Sequence, residues 1–540
     1  MASGRRQLLA ALAAGLATAV AAHFGTGLEP IAWLVWLLPL PALLLAPRVS
    51  AMASGLAAFG GFLLGMSYLW SYLLGVLDLP LPAAALVVVG SAVTFAVAVL
   101  VFRALVRGGR PLVAAVAFPA VWVSSVYLAS LSGGNGATGT LAVTQAGVGP
   151  VLRLASATGV WGVDFLVLWC AAVVAAVSTS THRRRLVTGA AGLIVAAAAL
   201  GYGWIYHSAT TPTIRIGLVV SNRNHYATRL DTPDGRVLLT AYTDRISALP
   251  ADGTSVYVLP ETAFAVHDTD LSPLTGPLRV VADQRGATIV VGVQLDTATE
   301  LVNAAIVVPP GDGTPLVYRK RHPVPGNEAD QMRPGTAGLL LPSTAVAVAV
   351  CADLNYPQTG RDNAARGAGV IVAPASDENI DGWQHSRIAM YRGVESGVSI
   401  AWAARKGRLM LSGPDGQIIA ETRTGGDGLA VVNGDVPIGA GTTLYARWGD
   451  WFAWLCLAAA AFGIGLAAMR SRPTWTPIHF RISLTARLCC QPAPTAITPD
   501  SPVAVTGRLL SVVVPSPSAP YWLKPQLATV PSCSRATLWA

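Results

Sequence analysis

Three residues in this chain form a set that could carry out nucleophilic catalysis. Cys351 follows the Val- and Ala-rich run 345–350, which has the length and composition of a buried strand. Glu261 and Lys320 also stand at the ends of short apolar runs. A carboxylate can take the proton of a thiol, and an ammonium can stabilise both the thiolate and the oxyanion of a tetrahedral intermediate. The set therefore predicts a cysteine nucleophile with its own base and oxyanion donor.

A cysteine after an apolar run is also commonly a small core residue. The motifs around the three residues favour chemistry, because they stand in a specific order over about a hundred residues. They read Pro260-Glu261, then Tyr318-x-Lys320-x-His322-x-Val324-Pro325, then Cys351-x-Asp353-x-x-Tyr356-Pro357. This series resembles the Glu-Lys-Cys triad of the nitrilase, or carbon-nitrogen hydrolase, superfamily.

The resemblance implies a role for each residue. Glu261 is the general base, Lys320 supports the thiolate and the oxyanion, and Cys351 is the nucleophile. Glu328 matches the second glutamate of the superfamily, which helps to orient the lysine. The backbone N–H of Ala352 would complete the oxyanion hole. The resemblance also implies a four-layer α-β-β-α sandwich.

The composition indicates a membrane protein with a soluble insert. Of the 540 residues, 53% are hydrophobic and 12% are charged, whereas soluble domains carry roughly 25% charge. The formal net charge of +9 comes largely from Arg residues beside hydrophobic segments, which membrane topology explains better than a nucleic-acid partner. We therefore expect no nucleic acid to bind.

Hydrophobic stretches of near-spanning length predict eight transmembrane helices. Seven precede the soluble insert and one follows it, at about 8–24, 30–46, 51–76, 82–102, 112–130, 159–179, 186–206 and 451–469. Cations accumulate on alternate loops, which the positive-inside rule places in the cytoplasm: Arg5, Arg6, Arg48, Arg103, Arg107, Arg110 and Arg183 to Arg185. The predicted domains are then the bundle 1–207, an exterior domain 208–447, an eighth helix 448–470 and a disordered cytoplasmic tail 471–540.

The exterior segment has the pattern of an α/β domain. Short β-branched runs bounded by turn residues predict strands at 214–220, 255–259, 288–293, 304–308, 345–350 and 369–372. Helical patterns lie between or after them at 235–249, 278–285 and 383–396. About 240 residues are enough for one such domain with its own core.

The cysteines and the short motifs argue against a metal or a cofactor. Cys351 is the one cysteine in 208–447, and an unpaired thiol in an oxidising compartment suggests a task for it. The chain has no CxxC motif, no His/Cys cluster with metal-ligand spacing and no Gly-rich phosphate loop. We predict no metal and no cofactor.

Several other residues allow two interpretations. His385, Arg392 and Glu395 share one helical face and either line the site or pair with each other, and we favour pairing in solvent. Ala352 and Asp353 are possible lining residues because they follow the thiol. Asp164 is either functional, as ionisable residues in spans often are, or reaches water at the end of its helix.

The arrangement of residues 1 to about 470 resembles one membrane family of the superfamily, the apolipoprotein N-acyltransferases. Segment 151–167 and the motif Arg392-x-x-Glu395-x-Gly397 add to the likeness. The resemblance implies that an acyl chain passes from a phospholipid to Cys351 and then to the α-amino group of a diacylglyceryl-modified apolipoprotein. It also implies a monomer in the bacterial inner membrane with the catalytic domain outside.

Four segments depart from the family pattern. Val324 to Glu328 replaces Val-Pro-Phe-Gly-Glu, Cys351-Ala352-Asp353 replaces Cys-Tyr-Glu, Ser376-Asp377 replaces Asn-Asp, and Arg405-Lys406-Gly407 replaces Asn-x-Gly. These changes leave open a different amine acceptor. A membrane-tethered amidase and a catalytically silent binding domain are the other two hypotheses.

Overall fold

The computed structural model describes residues 2–132, 135–207, 212–221, 226–326, 328–426 and 428–470. The predicted tail 471–540 lies outside these residues. The first half of the chain is helical, and the long apolar members are α1 (Ala2–Gly25), α4 (Ala51–Gly65), α6 (Leu81–Arg107), α7 (Pro111–Leu131), α10 (Val160–Ser178) and α11 (His182–Ile205). Shorter helices join them: α2 (Leu34–Leu37), α3 (Leu40–Leu45), α5 (Tyr68–Gly75), α8 (Gly149–Arg153) and α9 (Ala155–Thr158).

The predicted count of eight spans is not confirmed. In the described part of the chain, six helices are long and apolar enough to cross a membrane, or seven if α4 and α5, which meet at a bend of 51°, form one span. The stretch predicted at 30–46 is instead a short broken helix over Leu34–Arg48. Pro39, Pro41 and Pro47 interrupt it, because proline lacks the N–H that a helix interior requires.

Small residues allow the first helices to approach closely. A side chain at Gly61 of α4 would meet the carbonyl oxygen of Gly15 in α1 at 2.5 Å, and one at Gly65 would meet Ala22 at 2.4 Å. Glycine at such contacts is typical of helix packing in membranes. Large apolar side chains such as Leu86 of α6 point outward, 76% exposed, as a lipid-facing surface requires.

The chain then forms two β-sheets. The first has eight strands, ordered β14-β1-β3-β5-β4-β2 with β6 and β7 added beside β5: β1 (Thr213–Ser221), β2 (Thr228–Arg229), β3 (Val256–Val258), β4 (Phe264–His267), β5 (Thr288–Asp296), β6 (Leu301–Val308), β7 (Leu316–Arg319) and β14 (Leu429–Pro437). The second has six, in the order β13-β12-β11-β10-β9-β8: β8 (Leu339–Leu340), β9 (Val346–Val348), β10 (Val370–Ser376), β11 (Ser399–Arg405), β12 (Arg408–Ser412) and β13 (Ile418–Arg423).

Alternating side chains hold the layers together. In β1, Leu218 and Val220 pack into the core that the second sheet shares, whereas Val219 packs into the core beneath the outer helices. A strand directs successive side chains to opposite faces, so both faces of this sheet are buried. The outer helices are α12 (Pro233–Ser247) and α13 (Ser272–Arg285), and α14 (Pro357–Ala365) and α15 (Gly382–Ser396) cover the second sheet. The predicted α-β-β-α sandwich is confirmed.

The sandwich rests on the ends of the membrane helices. Tyr72 of α5 donates to Asp381 beside α15 (2.8 Å), and Tyr391 of α15 donates to the carbonyl oxygen of Ala142 (2.6 Å). The short helix α16 (Leu444–Trp448) then leads into the apolar helix α17 (Trp451–Arg470). The bundle and the sandwich are parts of one compact unit.

Candidate active site

The thiol lies where a buried strand ends in a strained turn. Cys351 opens a 3-10 turn over Cys351–Asn355, directly after β9. Its φ is +42°, a left-handed conformation that a non-glycine residue adopts at some energetic cost and that is common at functional sites. The Sγ–H points to the carbonyl oxygen of Ser376 at the end of β10, 3.7 Å away. The turn thus presents a buried thiol at the carboxyl edge of the second sheet.

The predicted lysine and both glutamates meet in one buried cluster. The Nζ of Lys320 lies 2.8 Å from Oε1 of Glu261 and 2.6 Å from Oε2 of Glu328. All three side chains are at least 93% buried. Lys320 follows β7, and Glu261 lies in the turn between β3 and β4. The structure therefore brings together residues that are 67 positions apart in the chain.

An amide that the sequence analysis missed connects the two carboxylates. The Nδ2 of Asn303, in β6, donates to Oε1 of Glu261 and to Oε1 of Glu328, at 2.7 Å each. The backbone N–H of Val324 gives Glu328 a further hydrogen bond at 3.0 Å. These bonds fix the orientation of both carboxylates. The sequence did contain a signal, because Asn303 is a lone polar residue beside the apolar run 304–308. A buried strand rarely carries such a residue without a hydrogen-bond partner.

The environment of the cluster sets its charges. Burial opposes the charge on Lys320, but Glu261 and Glu328 together raise its pKa well above the ordinary value. Burial raises the pKa of Glu261, and Lys320 partly offsets that rise. Burial and the nearby Glu261 also raise the pKa of the Cys351 thiol, which Lys320 opposes. The resting thiol is therefore protonated, beside a carboxylate able to accept its proton and a permanent ammonium.

Asp353 holds the lysine loop against the cysteine turn. One oxygen accepts from the backbone N–H groups of Arg321 and His322, both at 2.9 Å, and the other accepts from the Tyr318 hydroxyl (2.7 Å) and the Val350 N–H (3.0 Å). Asp353 was predicted as a possible lining residue. It is fully buried and instead positions the two segments that carry Lys320 and Cys351. Ala352 is buried next to the thiol, and its role in an oxyanion hole stays a prediction.

His385 belongs to a second polar cluster, beside the thiol. Its Nδ1 lies 3.0 Å from Oδ1 of Asp377 and 3.8 Å from Oδ1 of Asp381. Burial opposes its charge, but Asp381 and Asp377 raise the pKa of His385 to about 9. Asp377 follows Ser376, whose carbonyl oxygen accepts from the thiol. His385 thus lies near the site but does not pair with Arg392 or Glu395.

This second cluster contains three residues of types that commonly bind metal ions, although the sequence analysis predicted no metal. One ligand atom from each of Asp377, Asp381 and His385 could meet a common ion, since the three lie within 4.8 Å of one another. Spacing in the sequence did not reveal this group. The carboxylate oxygens already accept hydrogen bonds, for Asp377 from Trp402 (3.2 Å) and for Asp381 from Tyr72 (2.8 Å). The cluster is explained as a hydrogen-bond network.

The expectation of a solvated Arg392–Glu395 pair was half wrong. The two side chains do pair, at 3.0 Å, but they are 1% and 0% exposed. Glu395 also accepts from the backbone N–H of Val160 at 2.8 Å, the first residue of α10. The pair therefore lies at the junction of the sandwich and the membrane helices. Asp164, deeper in α10, does not reach water either: it is fully buried and accepts from the N–H of Ala142 (2.7 Å).

Comparison with known proteins fits this division of the chain. Residues 13–173 match the model of the apolipoprotein N-acyltransferase N-terminal domain, and residues 212–438 match the carbon-nitrogen hydrolase model. The chain is 30% identical to the apolipoprotein N-acyltransferase of Gloeobacter violaceus over 372 residues, which cover 62% of this chain and 68% of that protein. The chain belongs to the apolipoprotein N-acyltransferase family.

A second member of the family matches over nearly its whole length. The apolipoprotein N-acyltransferase of Geobacter metallireducens is 25% identical over 518 residues, which cover 86% of this chain and 96% of that protein. Among solved structures, an amidase of Nesterenkonia sp. AN1 bound to butyramide is 21% identical and covers 43% of this chain and 93% of its own, with a TM-score of 0.36. Family membership and the apolar helices identify a membrane-bound acyltransferase.

Proposed function

We propose that this protein transfers a fatty acyl chain from a membrane phospholipid to the α-amino group of a diacylglyceryl-modified cysteine on an apolipoprotein. The observation that carries the proposal is the buried Glu261–Lys320–Glu328 cluster beside the strained Cys351 turn. This site lies on a sandwich that is bonded to α5 and to the first residue of α10. Both substrates are lipids, so such a site can receive them from the bilayer.

In the first half of the reaction, Glu261 accepts the Cys351 proton and the thiolate attacks an ester carbonyl of the phospholipid. A carbon–sulfur bond forms, and the carbonyl oxygen becomes an oxyanion that Lys320 and the Ala352 N–H stabilise. The carbon–oxygen bond then breaks. The leaving lysophospholipid alkoxide takes the proton from Glu261, and the acyl chain remains on Cys351 as a thioester.

In the second half, the amine of the apolipoprotein attacks the thioester. Glu261 takes the amine proton as the carbon–nitrogen bond forms, and the carbon–sulfur bond breaks to return the thiolate, which recovers that proton. Lys320 stabilises the second oxyanion as it did the first. No metal or cofactor takes part, because both steps are complete with the residues of the cluster and the two substrates.

The arrangement of charge supports an exterior site in the bacterial inner membrane. Arg103 at the far end of α6 donates to the carbonyl oxygen of Val49 (2.8 Å), and Arg184 lies against Gly109. The opposite end of the same helix begins near Leu79, which approaches Gly326 of the sandwich. Since α6 has 27 residues and is about 40 Å long, the cations and the sandwich lie at opposite ends. By the positive-inside rule, this separation supports a sandwich on the exterior face.

The proposal is tested by isolating the acyl-enzyme. Purified protein given a phospholipid with a labelled acyl chain, and no acceptor, should retain label on Cys351 that hydroxylamine releases. A lipopeptide with a free amino-terminal diacylglyceryl-cysteine should discharge this label onto itself, whereas the same peptide with a blocked amine should not. Cys351→Ser should form little acyl-enzyme, because a hydroxyl ionises far less readily than a thiol.

The same experiment distinguishes the other two hypotheses. A membrane-tethered amidase would leave Cys351 unlabelled by the phospholipid and would release ammonia steadily from small amides. A silent binding domain would do neither. Either result would overturn the acyltransferase proposal.

A further inference from the structure

Near the thiol, one buried cation has no ion-pair partner among the residues that the structure describes. Arg405 ends β11, directly opposite Ser376 at the end of the neighbouring strand β10. Arg405 is 4% exposed. Its one hydrogen bond among the described residues runs from Nη2 to the Ser376 hydroxyl, at 2.9 Å. The Nε and Nη1 atoms are buried and have no partner within the described part of the chain.

Arg405 lies close to the reacting thiol. Ser376 accepts from the Cys351 thiol through its backbone oxygen and from Arg405 through its hydroxyl. The N–H of Glu261 donates to Ala375, one residue earlier on the same strand (3.2 Å). The guanidinium therefore shares the carboxyl end of β10 with both the nucleophile and its base.

The neighbouring carboxylates are engaged elsewhere. Glu261 is bonded to Lys320 and Asn303, and Glu378 lies 3.3 Å from Lys406. Glu261 acts on Arg405 through space alone. An arginine stays charged even when buried, and a buried charge without a hydrogen-bonded counter-ion is unfavourable. The guanidinium therefore keeps two N–H groups with which it can bind an anion.

A partly exposed aromatic ring covers the guanidinium. The Tyr226 ring stacks against it, with 5.2 Å between the guanidinium carbon and the ring centre. Tyr226 itself is 51% exposed. The arginine is thus buried under a ring that borders solvent, next to the position where an acyl ester must lie for attack by Cys351.

We propose that Arg405 binds the phosphodiester of the phospholipid donor and so selects this class of donor. The inference rests on the function proposed above. In a glycerophospholipid, the glycerol unit alone separates the phosphate from the acyl ester, so a phosphate at Arg405 places the ester near Cys351. A planar guanidinium with free N–H groups suits a phosphate, which it can bind through two parallel hydrogen bonds.

The proposal predicts an effect on one half of the reaction. The diacylglyceryl-cysteine acceptor has no phosphate, so Arg405 is a specificity residue for the donor and has no part in discharge of the thioester. An alternative is that Arg405 merely balances the charge of Glu261, which would affect every donor equally.

The test compares two donors in formation of the acyl-enzyme. Arg405→Gln should raise KM for a phospholipid about ten- to hundredfold, as expected for loss of charge-assisted hydrogen bonds, and should change kcat little. With p-nitrophenyl palmitate, which has no phosphate, its rate should stay within about threefold of the wild type. Arg405→Lys should recover part of the phospholipid affinity, because an ammonium keeps the charge but loses the fork. Lys406→Gln, which removes the adjacent cation, should behave as the wild type.

A second measurement does not depend on folding of the variants. Diacylglycerol with the same acyl chains has no phosphate, so its KM with the wild type should be higher than that of the phospholipid. The factor should be about the same as the factor by which Arg405→Gln raises KM for the phospholipid. Equal losses for both donors in Arg405→Gln, or equal KM values for phospholipid and diacylglycerol in the wild type, would overturn the proposal. Failure of the wild type to form any thioester from phospholipid, with p-nitrophenyl palmitate still accepted, would instead overturn the proposed function itself.

Discussion

At the scale of single residues, the site is a shared lysine between two carboxylates. Lys320 is bonded to Glu261 and to Glu328, and its bond to Glu261 runs to Oε1, as does the bond from Asn303, so that Oε2 is the oxygen that accepts the thiol proton. The arrangement keeps the ammonium charged while it holds the base in place. Lys320 therefore serves both the base and the oxyanion, which explains why one residue should be indispensable.

Replacement of Lys320 tests this dual role. Lys320→Ala should slow formation of the acyl-enzyme by at least about 10²–10³, because loss of one oxyanion donor commonly has this effect. Lys320→Arg should not restore it, since the planar fork cannot occupy the place of a compact ammonium. The variant should still fold, because Glu261 and Glu328 can then share a proton, and gel filtration with a thermal melt checks this. A well-folded and active Ala variant would remove Lys320 from the mechanism.

Asn303 provides a prediction about pH. Its hydrogen bond lowers the pKa of Glu261, so Asn303→Leu should raise that pKa. If ionised Glu261 is the base, the rate falls as pH decreases through this pKa, and the acid limb of the pH–rate profile should move to higher pH in the variant. Asn433→Leu removes a comparable bond to Asp252 (3.3 Å), remote from the cluster, and should leave the profile unchanged. An unshifted limb in Asn303→Leu would argue against Glu261 as the base.

The sequence allowed part of this site to be predicted. Glu261, Lys320, Cys351 and Glu328 stand in recognisable motifs, and the structure brings them together. Asn303 could not be assigned, because it reaches both carboxylates only when β6 pairs with β5 on one side and with β7 on the other, and the sequence alone does not specify this order. Asp353 was noted for its position in the motif, but its bonds to the lysine loop depend on the fold as well.

At the scale of elements, strand ends and helix starts bring the polar groups together. All six strands predicted from β-branched runs are confirmed, and so are the three predicted helices. The second predicted transmembrane helix is not confirmed, because the helix over Leu34–Arg48 is short and contains three prolines that a prediction from hydrophobicity does not weigh. Strands β12 and β13 were missed; in β13, which lies at the edge of the second sheet, alternating polar residues such as Glu421 and Arg423 weaken the apolar signal.

The start of α15 gives a prediction about stability. His385 is charged in the folded protein, because Asp381 and Asp377 raise its pKa to about 9 against the effect of burial. A raised pKa stabilises the fold fully below about pH 6.5, the ordinary value for histidine. This contribution is lost as the pH rises to 9. Asp377, whose pKa burial raises to about 6, has already titrated below this window.

Thermal melts across this window provide the measurement. The melting temperature of the wild type should fall between pH 6.5 and 9 by more than that of His385→Gln. His267→Gln, at an exposed position of the same sandwich, should follow the wild type. Parallel curves for the wild type and His385→Gln would show that His385 is not charged in the fold.

At the scale of the whole molecule, the sandwich and the bundle form one compact unit that suits lipid substrates. Tyr72 and Asp381 on one side, and Val160 and Glu395 on the other, connect the site's own helix α15 to membrane helices. A water-soluble substrate would not require this attachment. The bundle therefore belongs to the function as well as to the anchoring of the protein.

The orientation of the molecule can be tested directly. Since the cationic loops lie at the end of the bundle remote from the sandwich, a reporter inserted at Gly425 that is active only outside the cytoplasm should be active. The same reporter fused after Arg472 should be silent. The reverse pattern would place the sandwich in the cytoplasm, away from the apolipoproteins that it is proposed to modify.

The mass of a lipoprotein's amino-terminal peptide tests the central claim most directly. Cells that contain this protein should yield a peptide with one amide-linked acyl chain in addition to the diacylglyceryl group. Cells that carry Cys351→Ala in its place should yield the peptide with a free amine, lighter by that one acyl chain. Identical masses in the two strains, with both proteins present in the membrane, would contradict acyl transfer by Cys351.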